Sequence, residues 1–212
     1  MARENAIAPA AARELLEAVC VRVIENVDLL TAADQAIGDG DHGVAMRRGF
    51  SAALEQLKTD SAEDVEAVFK LVGAAVLSKA GGAAGAVFGT LFRSGAAAFG
   101  GREFDAGAFG AFLELGLEGV EKRGGARPGQ KTMVDALAPA AEAARKSVAT
   151  GLVAATRAAA EAAKQGVEST KTMVATTGKA KSLGERSLGH PDPGALSVSL
   201  ILDAISDYAA KL

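Results

Sequence analysis

Leu15, Val19, Val23, Val27 and Leu30 recur every three or four positions, the spacing that lays one apolar stripe along a helix. The period returns at Met46, Phe50, Leu54 and Leu57, at Val65, Val68, Phe69 and Val72, and again at Phe109, Phe112, Leu113 and Leu117. Strand-like alternation does not compete with it. β-branched residues rarely run together, alanine is abundant and aromatic residues make up only 4%, a composition that favours helices over a β sandwich. The predicted class is all-α. At 212 residues and 49% hydrophobic content the chain has enough apolar material for one sizeable core, so a single domain over 1–212 is expected.

Eight helices follow from the periodicity and its punctuation. The first has Pro9 in its opening turn and ends at Asp34. The second begins at Gly43 and breaks at Lys58 to Asp60. Ser61 and Asp64 read as a capping box for the third, which ends near Lys79. A fourth is expected over Val87 to Ala98, and a fifth is capped by Asp105. Thr132 with Asp135 starts a sixth that should bend or end between Pro139 and Ser147. Thr150 caps the seventh, and the last runs from about Ala195 to Ala210. Short connections make neighbouring helices antiparallel, so alternate loops share one end of a bundle. The first, third, fifth and seventh are "IGDGDHG", "AGGAAG", "RGGARPGQK" and "TTGKAKSLGERSLGHPDPG", and these are the glycine-rich, charged ones. Counting alone therefore gathers the unusual loops on one face, where function is expected.

Several classes drop out. A formal charge of −3 with scattered basic residues argues against a nucleic-acid partner. The lone cysteine, Cys20, permits no internal disulfide and suits a reducing compartment. No signal-like leader and no long apolar stretch is seen, so a cytoplasmic protein with no membrane partner is expected. A serine–histidine–aspartate set cannot be assembled from only His42 and His190, and there is no G-x-x-x-x-G-K-[ST] nor a strand before a glycine loop. A nucleotide site, if present, must be helical.

The stretch "DQAIGDGDHG" holds Asp34, Asp39 and Asp41 within eight positions. Such crowding is relieved by a cation, and hard carboxylate oxygens select Mg²⁺ or Ca²⁺ over zinc. The bidentate glutamate of a calcium helix-loop-helix is absent, which favours Mg²⁺ with a phosphate ligand. On its own the stretch is equally well explained as a solvated helix end. The other three loops supply what a metal-held phosphate needs: small residues entering a helix at residues 80 to 85, Lys131 and Thr132 at another helix start, and Arg186, His190 and Asp192 before the last helix.

In order and spacing, "DQAIGDGDHGVAMRRGF", "GGAAGAVFGTLF", "GQKTMVDALAPA" and "ATTGKAKSLGERSLGHPDPGALS" resemble the motifs of the L, or nucleotide-binding, subunits of dihydroxyacetone kinases, over about residues 10 to 210. The resemblance implies an eight-helix antiparallel up-and-down barrel with ADP or ATP and two Mg²⁺ ions at one end. By the same resemblance Asp34, Asp39 and Asp41 are the metal ligands and, with His42, the catalytic set. His42, Gly43, Ala45, Gly82, Ala83 and Ala84 hold phosphates and ribose. Gly124 and Met133 wall the adenine, and Lys179, Arg186, Asp192 and Gly194 come from the final loop. It implies phosphoryl transfer to dihydroxyacetone or a related small ketose held by a separate K subunit. The donor is ATP or a phosphotransferase-system M subunit, in the setting of glycerol metabolism. The other expectation is a nucleotide-loaded regulatory module docking on a transcription regulator. The chain departs from the pattern at Ala45 and Ala84, where Asn and Ser are common, at Gln130 in place of Asp, and at Lys179 in place of Arg. A further expectation concerns Phe69, Phe88, Phe92, Phe109 and Phe112, which could line a cavity for an apolar molecule, although a filled core is the more frequent outcome.

Overall fold

The first apolar stripe forms not one helix but two. In the computed structural model, which describes residues 6–62 and 64–212, α1 (Pro9–Glu25) and α2 (Val27–Ile37) meet at Asn26. There the backbone leaves helical geometry, and the Asn26 side-chain Nδ2 donates to the Arg22 carbonyl at 2.8 Å. The apolar period continues across the break, so the pair serves as one bent rod. Seven more helices follow: α3 (His42–Thr59), α4 (Val65–Lys79), α5 (Gly82–Gly95), α6 (Ala106–Gly124), α7 (Val134–Lys146), α8 (Leu152–Thr170) and α9 (Pro193–Ala209). The expected all-α class is what the structure shows.

Each helix from α3 onward packs on the next, and α1 and α2 lie against both α3 and α9. That closes a ring of eight rods. The end opposite the charged loops is tied by a short antiparallel pairing of β1 (Ala6–Ile7) with β2 (Phe104–Asp105), and by the Arg13 guanidinium, which donates to the carbonyls of Leu57 and Ala62.

All eight phenylalanines are buried. Phe69 is the hub, with ring centroids 4.6 Å from Phe99, 5.0 Å from Phe112 in an edge arrangement, and 5.9 Å from Phe104. Here the rings fill the interior by packing on one another. Elsewhere alanine and glycine let helices approach closely: a Cβ on Gly166 of α8 would strike the α7 backbone at Asp135, and one on Gly89 of α5 would strike Leu77 of α4.

Local signals are corrected in three places. The α4 cap is Asp64, whose carboxylate accepts from the Ala67 amide at 2.7 Å, with Ser61 outside the helix. The α5 helix starts at Gly82, five residues before the expected Val87, because Gly85 and Gly89 are needed to seat it on α4. Gly151, not Thr150, precedes α8, since the Thr150 hydroxyl is turned back to the Ser147 carbonyl at 2.6 Å. Pro139 lies inside α7, which ends at Lys146, within the expected window between Pro139 and Ser147. The Asp105 cap stands as expected, accepting from the Ala108 amide at 2.7 Å. No helix is long and apolar enough to cross a membrane, among the described residues.

Candidate functional site

The acidic loop is built around Asp34. This residue lies on the last turn of α2, is 8% exposed, and accepts the His42 amide on Oδ2 at 3.1 Å, which joins the end of α2 to the start of α3. Gly38 is required here, because a Cβ would fall on the Asp34 carboxylate. Gly40, at φ 78°, then reverses the chain so that Asp39 and Asp41 return towards Asp34. One carboxylate oxygen of each lies within 4.8 Å of the others. Such a set of hard oxygens, one rooted in a helix and two on the rim, fits a divalent cation.

A cation from the protein also reaches this cluster. Lys179, 138 residues after Asp41, places Nζ on the Asp39 carboxylate and 3.3 Å from that of Asp41. The ammonium holds the Asp39 carboxyl below its ordinary range, and the two aspartates in turn raise the lysine above its own. These groups are exposed, so the pairing is a weak tether on the final loop.

Opposite the aspartates, α5 begins at the cavity wall. Gly81 takes φ 74° as its N-cap, and the amides of Gly82, Ala83 and Ala84 in the first turn have no intrahelical partner. Arg48, which shares a face of α3 with Asp41 and Ala45, donates to the Ala80 carbonyl at 2.7 Å and pins this turn. The result is an anion-ready surface across from an acidic one. Between them is a cavity of about 430 Å³, floored by Phe88, Val87, Val120 and Met133.

His42 lies between the two halves. Burial lowers its basicity, opposed by the nearby Asp34 and Asp41 carboxylates and the Pro193 carbonyl. Its Nε2 is 2.8 Å from the Ser197 hydroxyl of α9.

Lys131 is put to a use its sequence position did not suggest. It is 2% exposed, and its ammonium donates to the carbonyls of Thr170 and, at 2.6 Å, His190. Those two residues are the ends of the final loop, so the lysine clamps the loop's neck. Gly189 N to the Lys171 carbonyl at 2.8 Å and Asp192 N to the Thr170 hydroxyl at 2.9 Å complete the closure. Burial pulls the Lys131 amine down, against the pull of Asp192 and Asp135. Asp192 caps α9 by accepting from Ala195 at 2.8 Å, and burial, helped by Asp135, pushes its carboxyl up to about 7. Asp135 accepts from the Thr132 amide at 2.7 Å and from Gly129, which shapes the loop before α7.

Of the residues singled out from sequence, Asp34, Asp39, Asp41, His42, Ala45, Gly82, Ala83, Ala84, Gly124, Met133, Lys179, Asp192 and Gly194 line this one cavity. Gly43 and Arg186 do not. Gly43 is buried against α2, where any Cβ would meet Thr31 and the Val27 carbonyl, so it seats two helices. Arg186 is exposed in the 3-10 segment Lys179–Ser187, away from the cavity lining. Gln130 turns inward on its own loop, accepting from the Arg127 amide at 2.9 Å. Sequence reading missed Arg48, although its helical spacing from Asp41 and Ala45 was a usable signal. It also missed the apolar floor of Val87, Phe88 and Val120, which looks like ordinary core until the cavity is seen.

A ring of eight helical rods with three clustered carboxylates facing free helix amides defines a helical anion-and-cation site. The DAK2 domain model matches residues 36–207, and the chain belongs to that family. It is 43% identical over 87% of its length to the PEP-dependent dihydroxyacetone kinase 1 ADP-binding subunit DhaL of Listeria innocua, covering 88% of that protein. The corresponding ADP-binding subunit of Escherichia coli is 41% identical, with 87% of this chain and 89% of that one covered. Among solved structures, the native dihydroxyacetone kinase of C. freundii superposes with a TM-score of 0.74 at 26% identity. That match takes in 98% of this chain and 36% of the longer kinase.

Proposed function

We propose that the chain is the nucleotide-holding subunit of a dihydroxyacetone-type kinase. In this reading it binds ADP or ATP with Mg²⁺ and passes a phosphoryl group to dihydroxyacetone or a related small ketose on a separate K-type subunit. The observation that carries the reading is the facing arrangement in one cavity: carboxylate oxygens of Asp34, Asp39 and Asp41 within 4.8 Å of one another, and the free amides of Gly82, Ala83 and Ala84 across from them. The names of its relatives in Listeria innocua and Escherichia coli support it.

The residues divide the work by their chemistry. The three aspartates would hold Mg²⁺, two ions by the family pattern, and the bound metal would neutralise phosphate charge during in-line transfer. The amides of Gly82 to Ala84 donate to phosphate oxygens at a helix start, where N–H groups have no other partner. Val87, Val120 and Met133 give an apolar wall suited to a flat base, and Gly124 leaves room beside it. The ammonium of Lys179 is long enough to remain near the acidic rim and meet phosphoryl oxygens once the carboxylates are otherwise engaged. Ala45 and Ala84 offer no side-chain donor. Each absence costs roughly 0.5–1.5 kcal/mol of nucleotide binding relative to a polar residue, unless water takes the place.

Asp39→Ala tests the reading directly. Titration of Mg²⁺ and ADP by calorimetry is expected to show nucleotide binding weakened at least 10-fold and its Mg²⁺ dependence lost; unchanged binding refutes the metal assignment. The phosphoryl source is settled by mixing the chain with a K-type partner, ATP and ketose. Turnover with ATP alone excludes an obligatory M-type donor, whereas no sugar phosphate with either donor contradicts the kinase reading. Bound Mg²⁺ and nucleotide with no transfer to any K-type partner would favour the regulatory role.

A further inference from the structure

His42 and Ser197 stand 155 residues apart and meet at the base of the cavity, with Nε2 and Oγ separated by 2.8 Å. Ser197 is fully buried, and its hydroxyl donates to the Pro193 carbonyl one turn back on α9, at 3.0 Å. A hydroxyl carries a single proton, and a carbonyl oxygen can only accept. With the serine proton on Pro193, the contact with the imidazole is donated from the ring; the Pro193 carbonyl is itself an acceptor for His42. We propose that Ser197 is a positioning residue that fixes neutral His42 as the Nε2–H tautomer and leaves Nδ1 as a hydrogen-bond acceptor facing the cavity. Among the described residues no protein donor faces Nδ1: besides Ser197, the ring's protein partner is the Pro193 carbonyl, which can only accept, so an unprotonated Nδ1 is left to the cavity that His42 lines.

The assignment changes what His42 can do. A neutral ring held this way cannot donate to a phosphate oxygen. It accepts from an O–H group, either a ribose hydroxyl or a water held near the aspartates. This part rests on the nucleotide reading; the tautomer does not. The same contact ties the start of α9 to the start of α3, so the loop carrying Asp192 and the loop carrying Asp41 are registered through one side-chain pair.

The test is a long-range ¹H–¹⁵N correlation of histidine-labelled, nucleotide-free protein at about pH 8, where an ordinary imidazole is neutral. A His190→Gln variant assigns the His42 signals. A protonated Nε2 with an unprotonated Nδ1 is expected; an Nδ1–H ring, or an even mixture of the two forms, overturns the proposal without touching the kinase reading. Ser197→Ala should relax the ring to a mixture and Ser197→Thr should restore the single form, whereas a wild-type pattern in Ser197→Ala shows that the serine does not set it. If Ser197→Ala fails to fold, the unsubstituted chain decides the matter alone. For the ligand half, Ser197→Ala should weaken Mg²⁺-ADP about 2- to 10-fold, the equivalent of one neutral hydrogen bond. If a ribose hydroxyl is the donor, 2′,3′-dideoxy-ADP binds wild type weakly by the same factor and gains nothing further from the substitution; if a held water is, both nucleotides lose equally. No loss with either nucleotide removes the ligand half, and tight Mg²⁺-ADP binding in the wild type keeps the kinase reading intact in that event.

Discussion

Lys131→Met should loosen the final loop at its base. The ammonium is 2% exposed, and it holds the carbonyls of Thr170 and His190 while facing the carboxyls of Asp135 and Asp192. Two hydrogen bonds from a charged donor contribute roughly 1.5–3 kcal/mol each, and the cost of burying the ammonium offsets part of that. Its removal also takes the cation from the buried Thr170 carbonyl, the part-buried His190 carbonyl and a pair of acids. A net loss of about 2–4 kcal/mol is expected in urea unfolding. Backbone geometry supplies an internal control. Lys131 is the one non-glycine residue at positive φ among the described residues, at 61°, a conformation that costs a side-chain-bearing residue about 1–2 kcal/mol. Lys131→Gly loses the same ammonium but relieves that strain, so it should be the less damaging of the two, the reverse of the usual order for glycine. Hydrogen exchange would localise the effect, with the amides of Gly189 and Asp192 losing protection ahead of the helices. An unchanged urea midpoint for Lys131→Met, with protection of those two amides intact, would refute the clamp.

Gly43→Ala forces a methyl onto Thr31 and the Val27 carbonyl, so it should destabilise the α2–α3 junction by about 1–3 kcal/mol in thermal or urea unfolding; a neutral effect would show that the helices part without cost. Asp192→Asn keeps an oxygen for the Ala195 amide while removing a carboxyl whose pKa is raised from 3.8 to about 7. Between those values the folded state binds the extra proton, so the native carboxyl stabilises at low pH and loses that contribution as pH rises through 7. The asparagine variant of the nucleotide-free protein should therefore gain stability relative to wild type by more at pH ~8 than at pH ~5, by on the order of 1 kcal/mol or more. A gain that is flat with pH, or larger in acid, would contradict the burial argument.

Helix-scale order was legible because it depends on local periodicity. The stripes at Leu15 to Leu30 and at Phe109 to Leu117 mark rods that must bury one face, and counting the rods placed four loops together before any motif was weighed. Where the reading slipped, the cause was non-local. Nothing within reach of Asn26 in sequence reports a break, since the apolar period passes through it. The glycines after Ala80 look like a loop in isolation, yet they belong to a helix that has to touch Leu77 and Val76 across the groove.

The same distinction separates the acidic loop from the lysines. Asp34, Asp39 and Asp41 are close in sequence, so their crowding can be inferred from spacing, and the structure gathers their oxygens as neighbours. Lys131 and Lys179 carry the same charge and both line the cavity, but sequence does not tell which one faces the acidic rim. Burial decides it. Lys131 has been drawn into the protein by two carbonyls that only a closed neck can supply, leaving its ammonium saturated and unable to reach an anion without opening the loop. Lys179, exposed and resting on Asp39 and Asp41, can exchange partners at little cost. One lysine therefore fixes where the loop sits so that the other can be delivered to the aspartates, a division of labour that arises from their positions in the fold and not from their chemistry.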